Sequence, residues 1–192
     1  MTDAFIIRPP LTNDVIEKLR AGDQVLITGV LLTARDRVHQ ALVAAKNCGE
    51  QLPTDLAGQL LYYTGPTPTP PEKSIGSAGP ASSYALDIYT PILLQYGLKG
   101  MIGKGPRSEV VKDALRKHKA VYFAAIGGAG SLIAKTIKHA EIVGYPELGP
   151  EAMMRLEVEQ FPAIVANDIY GGDLYRIGVE QYRHVGDEPA DK

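Results

Sequence analysis

Only one of the 192 residues is a cysteine, Cys48. A single thiol excludes an intrachain disulfide, and it leaves too few thiolates for structural zinc or for an iron-sulfur cluster held by this chain alone. Any cluster that serves the protein must be held elsewhere. No apolar run approaches the roughly 20 residues needed to cross a bilayer, and the N-terminus carries Asp3 instead of a signal-peptide stretch. A cytoplasmic location is the expectation. Excess positive charge is also lacking: the formal net charge is -2, so no global field exists to hold nucleic acid or an anionic membrane. No Ser, His and Asp stand at a spacing that supports a hydrolytic triad.

Hydrophobic residues make up 45% of the chain and charged residues 22%, the composition of one globular domain with a sizeable core. We read residues 1–192 as a single α/β domain, with a flexible arm over 1–10 and a frayed tail over 187–192. Val15, Ile16 and Leu19 put a short helix in Thr12 to Arg20, stopped by Gly22. Gln24 to Leu32 reads as a strand, followed by a polar turn and a helix through Val38, Leu42 and Val43 to Gly49. Gln59 to Tyr63 is a further strand. The stretch from Thr64 to Ser83 is dense in Pro, Gly, Thr and Ser, and a loop of that length inside a compact domain is more often functional than idle. A helix over Leu86 to Tyr96, a strand over Leu98 to Ile102 and a helix over Glu109 to His118 follow, the last burying Val110, Val111, Ala114 and Leu115. Ala120 to Ile126 reads as a buried strand, Gly127 to Gly130 as a glycine turn and Ser131 to Ala140 as a helix. Successive strand-loop-helix units argue for parallel strands with helical crossovers. Glu141 to Tyr145, Met154 to Val158 and Pro162 to Asn167 supply short strands.

Three loops fall at the C-terminal ends of these strands, where open α/β sheets gather ligands. They carry Thr33 with Arg35, Lys104 with Arg107, and the glycine turn with Gly128. Cations and backbone N–H groups together suit a small carboxylate or phosphate. Each cation also has a plainer reading as a surface ion pair, Arg35 with Asp36 for example. The glycine turn matches neither nucleotide fingerprint, so a free-standing phosphate-binding domain has only the glycine loops behind it. His118 and His139 read as solvent-facing helix ends, and His184 lies near the tail. His39, one turn beyond Arg35, could brace it, with a helix-surface role the plainer reading. Cys48 reads as a semi-buried structural thiol.

The strings GDQVLITGVLLTARDRVHQAL (22 to 42), YYTGPTP (62 to 68), IGSAGP (75 to 80), LKGMIGKGPRS (98 to 108), AVYFAAIGGAGSLIAKTIKHAEIVGY (120 to 145) and LEVEQFPAIVANDIYGGDLY (156 to 175) resemble the β subunit, or C-terminal domain, of iron-sulfur class I fumarases and tartrate dehydratases. The resemblance implies a swivelling β/β/α fold of three layers. It also implies an α subunit partner that holds a 4Fe-4S cluster through three cysteines, with no cluster on this chain, and hence a hetero-oligomer. The activity it implies is reversible loss of water from a 2-hydroxydicarboxylate, malate first and tartrate next. Such chemistry needs a base, a Lewis acid and clamps for two carboxylates. The family pattern places substrate-binding cations at Arg35 and Lys104.

After GSAGP the family runs Thr-Thr-Ser-X-Arg-Met-Asp, whereas this chain has Ala81, Ser82, Ser83, Tyr84, Ala85, Leu86 and Asp87. The family's first threonine aids proton transfer and its arginine binds a carboxylate. Ser82 or Ser83 is the candidate for the missing hydroxyl, and no nearby residue replaces the guanidinium. A second reading follows from this departure: a homologue that has lost catalysis and serves as an assembly or small-anion-binding module.

Overall fold

The computed structural model describes residues 4–183; His184 and the tail expected to fray lie outside the described residues. Strands β2 (Gln24–Thr33), β3 (Leu60–Tyr62), β4 (Gly100–Gly103) and β5 (Val121–Ala124) run parallel in that order. The arm is not loose throughout, because β1 (Phe5–Ile7) adds to β2 in parallel, Ile7 opposite Ile27. Strand β7 (Met153–Asn167) lies antiparallel to both β5 and β2 and so closes a barrel-like ring, with β6 (Ile137–Gly144) on its outer side.

The alternation of side chains along each strand explains why both faces are apolar. Leu60, Tyr62, Ile102, Val121 and Phe123 point into the barrel, where they meet Leu31, Phe161 and Val165. Leu61, Tyr63, Met101 and Tyr122 point outward, against Val38 and Leu42 of α2 (Asp36–Asn47), Leu93 of α3 (Thr90–Gln95) and Val111 and Leu115 of α4 (Glu109–His118). The result is an α/β domain with a closed barrel-like core and a helical layer on one side.

Several local readings change. The first helix, α1, is only Asn13–Ile16. The segment read as one helix from Leu86 splits into a 3-10 turn (Tyr84–Leu86) and α3, because Pro91 fits the first turn of a helix and not its interior. α4 matches its expected bounds, with Glu109 in the first turn and Arg116, Lys117 and His118 in the last, all favourable to the helix dipole. Val110, however, is 66% exposed and not part of its buried face. The helix expected to reach Ala140 is the five-residue α5 (Gly130–Ala134); from Ile137 the chain pairs with β7, so tertiary pairing overrides the helix propensity of Ala, Lys and Ile. His139 therefore sits on a strand. The two short strands expected at Met154 and Pro162 are one, bent where Gln160 takes a left-handed φ of 53° and its N–H reaches the Thr28 hydroxyl. Cys48 caps α2 and is exposed, not semi-buried. α6 (Leu174–Tyr182) ends the described chain, capped by Asp173, which accepts from the Tyr175 and Arg176 N–H groups.

Candidate functional site

The loops leaving β2, β3 and β4 converge on a pocket of about 400 Å³ lined by Arg35, Asp36, Gly65, Gly79, Pro80, Ala81, Ser82, Ala85 and Lys104. Three separate sequence readings meet there: the cation after β2, the cation after β4, and the loop that runs from Thr64 to Ser83. That long loop is held by side-chain bonds to its backbone, one from the end of β3 and one from its own first residue. The Tyr62 hydroxyl donates to the Ala78 carbonyl at 2.5 Å and the Thr64 hydroxyl to that of Gly79 at 2.8 Å. The Ala78 N–H reaches Gly130 at 3.2 Å, and a Cβ on Gly130 would come within 2.8 Å of the Gly79 nitrogen. The glycine turn thus serves close packing of two loops. Gly128 takes a left-handed φ of 79° and stands outside the pocket lining.

Lys104 is exposed at the pocket and has no ion-pair partner among the described residues. Its backbone is fixed: the Lys104 N–H donates to Ala81 at 3.1 Å, and its carbonyl accepts from Ser83 at 2.9 Å. Ser82 and Lys104 face each other across this parallel bridge. The next residue is held on both sides, since the Gly105 N–H donates to the Tyr175 hydroxyl at 2.8 Å and the Gly105 carbonyl accepts from Tyr122 at 2.9 Å. The Lys104 side chain thus rises into the pocket from a backbone that is hydrogen-bonded on both sides.

Arg35 occupies the N-cap position of α2 with its side chain 37% exposed. It pairs with Glu151 at 3.1 Å and, more loosely, with Asp36 at 3.8 Å, so the surface-pair reading and the pocket reading hold together. Gly65 lets the guanidinium stem pass, because a Cβ there would lie 3.0 Å from the Arg35 Cδ. Its Nε is buried and has no partner among the described residues.

Other candidates face away from the pocket. Thr33 is buried; its hydroxyl donates to the Ala152 carbonyl at 3.3 Å and accepts from the Met154 N–H at 2.9 Å, tying β2 to β7. Ser83 is also buried, its hydroxyl 2.8 Å from that of Tyr122, whereas Ser82 is exposed at the pocket. Strand alternation sends neighbouring serines in opposite directions. The Arg107 side chain is wholly buried: Nε donates to Asp87 at 2.7 Å, one terminal nitrogen to Thr90 at 2.6 Å, and the plane lies 4.9 Å from the Tyr122 ring centre. Burial disfavours its charge, but Tyr63 and Asp87 outweigh that and raise its pKa. The second Asp87 oxygen accepts the Ser108 N–H at the start of α4. Arg107 is a brace beneath the pocket and not an anion clamp.

His39, expected on a helix surface, is fully buried between Tyr63 and Tyr89. Its Nδ1–H donates to the Arg35 carbonyl at 2.9 Å, so it braces the turn that carries Arg35. Desolvation, reinforced by the charge of Arg107, lowers its pKa to about 4. Tyr122, Tyr175, Asp87 and Glu151 were not legible as site residues, because nothing in a tyrosine within a strand or a carboxylate in a turn shows what it will face.

Among the described residues no three or more His, Cys, Asp or Glu side chains stand together as metal ligands, and Cys48 lies outside the pocket lining. The pocket offers one amine, one guanidinium, a hydroxyl and one carboxylate. That set suits carboxylate binding and does not fit an iron-sulfur cluster, which thiolates hold.

Comparison with known proteins shows the family. A sequence profile of the family described as Fumarase C-terminus matches residues 4–178. "Fumarate hydratase class I, anaerobic" of Escherichia coli (strain K12) is 39% identical over 152 residues, 78% of this chain and 28% of that protein. "Fumarate hydratase 2" of Leishmania major is 37% identical over 156 residues, 80% of this chain and 28% of that protein. "Putative L(+)-tartrate dehydratase subunit beta" of Methanocaldococcus jannaschii is 33% identical over 171 residues, 86% of this chain and 88% of that one. The chain thus spans less than a third of the fumarate hydratases it resembles and nearly the whole length of a β subunit. It belongs to the Fumarase C-terminus family.

Proposed function

We propose that this chain is the β subunit of a two-subunit hydro-lyase that interconverts a 2-hydroxydicarboxylate and its unsaturated product, malate and fumarate first and tartrate next. The observation that carries the reading is the pocket itself: a lysine without an ion-pair partner among the described residues, a partly exposed arginine paired with Glu151 and an exposed serine converge at the strand ends. Lys104 and Arg35 bind the substrate carboxylates through charge-assisted hydrogen bonds. Ser82 is the hydroxyl placed to hand a proton to or from the substrate carbon, since Ser83 is turned into the core. A partner α subunit carries the 4Fe-4S cluster, whose chemistry when bound is Lewis-acid activation of the departing hydroxyl. Family likeness to a β subunit supports that division. So does the rim, where Tyr84, Ile88 and Ile126 are more than half exposed next to the pocket residues Ala85 and Lys104. The reading includes the swivelling β/β/α fold of the family and a cytoplasmic location; no helix among the described residues is long and apolar enough to cross a membrane.

The pocket also favours an alternative. Ala81 and Ala85 both line it, so the family's threonine and arginine have no counterpart on that wall. A chain that binds a carboxylate without turning it over would look the same. Reconstitution with the cluster-bearing partner decides between them. Measurable malate dehydration supports the hydro-lyase, and dicarboxylate binding with no turnover on malate, tartrate or methyl-substituted dicarboxylates supports the binding module. Under the hydro-lyase reading, Ala81→Thr with Ala85→Arg raises malate turnover about ten- to a hundredfold, the worth of a restored bidentate guanidinium contact.

A further inference from the structure

The Tyr122 hydroxyl is buried on the outer face of β5, and it joins the two segments that carry the pocket's exposed side chains. It donates to the Gly105 carbonyl at 2.9 Å, one residue past Lys104, and it takes the Ser83 hydroxyl at 2.8 Å, one residue past Ser82. With the first bond committed to a carbonyl, the proton in the second comes from Ser83. Gly103 makes the approach possible, since a Cβ there would sit 2.9 Å from the Tyr63 ring and would also overlap the Ser83 hydroxyl. The backbone bonds between Ala81, Ser83 and Lys104 complete the link. Neither Ser83 nor Tyr122 lines the pocket, whereas Ser82 and Lys104, each one residue before an atom that the Tyr122 hydroxyl bonds, do. Burial raises the Tyr122 pKa, which keeps the phenol protonated and able to donate.

We infer that Tyr122 is a positioning residue that sets Lys104 and Ser82 in register for one substrate carboxylate, an inference that rests on the dicarboxylate reading of the pocket. The Arg107 guanidinium stacked over its ring and the Tyr175 hydroxyl on the Gly105 N–H hold the same turn from other sides. Tyr122 is thus the member that reaches both segments at once.

The test uses the full chain with its lysines carrying 13C-dimethyl labels, the Lys104 resonance being assigned by its loss in Lys104→Arg. Succinate is titrated as the probe. Tyr122→Phe keeps the ring and deletes the hydroxyl; it is expected to shift the Lys104 resonance and to weaken succinate binding about tenfold, the scale of one or two lost hydrogen bonds. Ser83→Ala is expected to weaken binding as well, and the double variant less than the sum of the two, as members of one device do. Val165→Ala, a barrel-interior truncation, lowers stability without moving that resonance and separates positioning from general loosening. A folded Tyr122→Phe with an unmoved Lys104 resonance and wild-type succinate affinity overturns the inference. If the wild-type chain does not bind succinate, the dicarboxylate reading fails, while the Lys104 resonance still reports whether Tyr122 positions it.

Discussion

The lining of the pocket and the floor beneath it are built from the same loops and the same residue types, yet they do opposite work. Lys104 and Arg107 are three residues apart on one loop, and Ser82 and Ser83 are adjacent on another. Lys104 and Ser82 face the pocket with donors to spare, whereas the donors of Arg107 are spent on Asp87, Thr90 and Tyr63. A substrate carboxylate could reach Arg107 only by displacing Asp87 from a desolvated pair. The floor therefore specifies where the lining points, and only the lining is free to bind.

Stability measurements are the sharpest way to break this contrast. Arg107→Met leaves Asp87 buried without its cation and is expected to cost about 3 to 5 kcal/mol in urea unfolding of the full chain, whereas Lys104→Met stays within about 0.5 kcal/mol of wild type. Equal costs at the two positions would erase the distinction between floor and lining.

A pH series tests the buried histidine next. The folded His39 has a pKa of about 4, below the ordinary 6.5, so the unfolded chain takes up the proton first. Its contribution to stability is full above pH 6.5 and is lost as the pH falls toward 4, reaching about 2 kcal/mol by pH 5. His39→Asn retains a donor for the Arg35 carbonyl and should abolish that part of the pH dependence. An unchanged slope would mean that another group is responsible.

The serine pair gives the smallest effect. Ser83→Ala deletes a buried hydrogen bond and should cost about 1 kcal/mol, while Ser82→Ala is expected to be neutral for stability and to act on turnover alone. A destabilising Ser82→Ala would place that hydroxyl in the floor.

The parts of this arrangement that were legible from sequence share one property: a local pattern determines them. The strand-loop-helix order, the bounds of α4 and the gathering of Arg35 and Lys104 at strand ends all follow from periodicity and capping. Direction was not legible, because a polar residue in a glycine-rich loop carries no period. Arg107 and Ser83 read as site residues for that reason. Burial of His39 escaped notice because α2 packs against Tyr63 and Tyr89, partners that lie 24 and 50 residues further along. The second half of β6, from Glu141, reads as strand in the sequence, whereas its first half, Ile137 to Ala140, is masked by helix-forming residues whose fate is set by pairing with β7.

The most direct test of the account is the kcat/KM for malate of the partner-reconstituted complex carrying Lys104→Met, measured beside its unfolding midpoint. Loss of a charge-assisted contact to a desolvated carboxylate costs about 2 to 5 kcal/mol, so a fall of roughly thirtyfold or more with an unchanged midpoint is the expected result. A wild-type kcat/KM in that variant would contradict the account and return Lys104 to the surface.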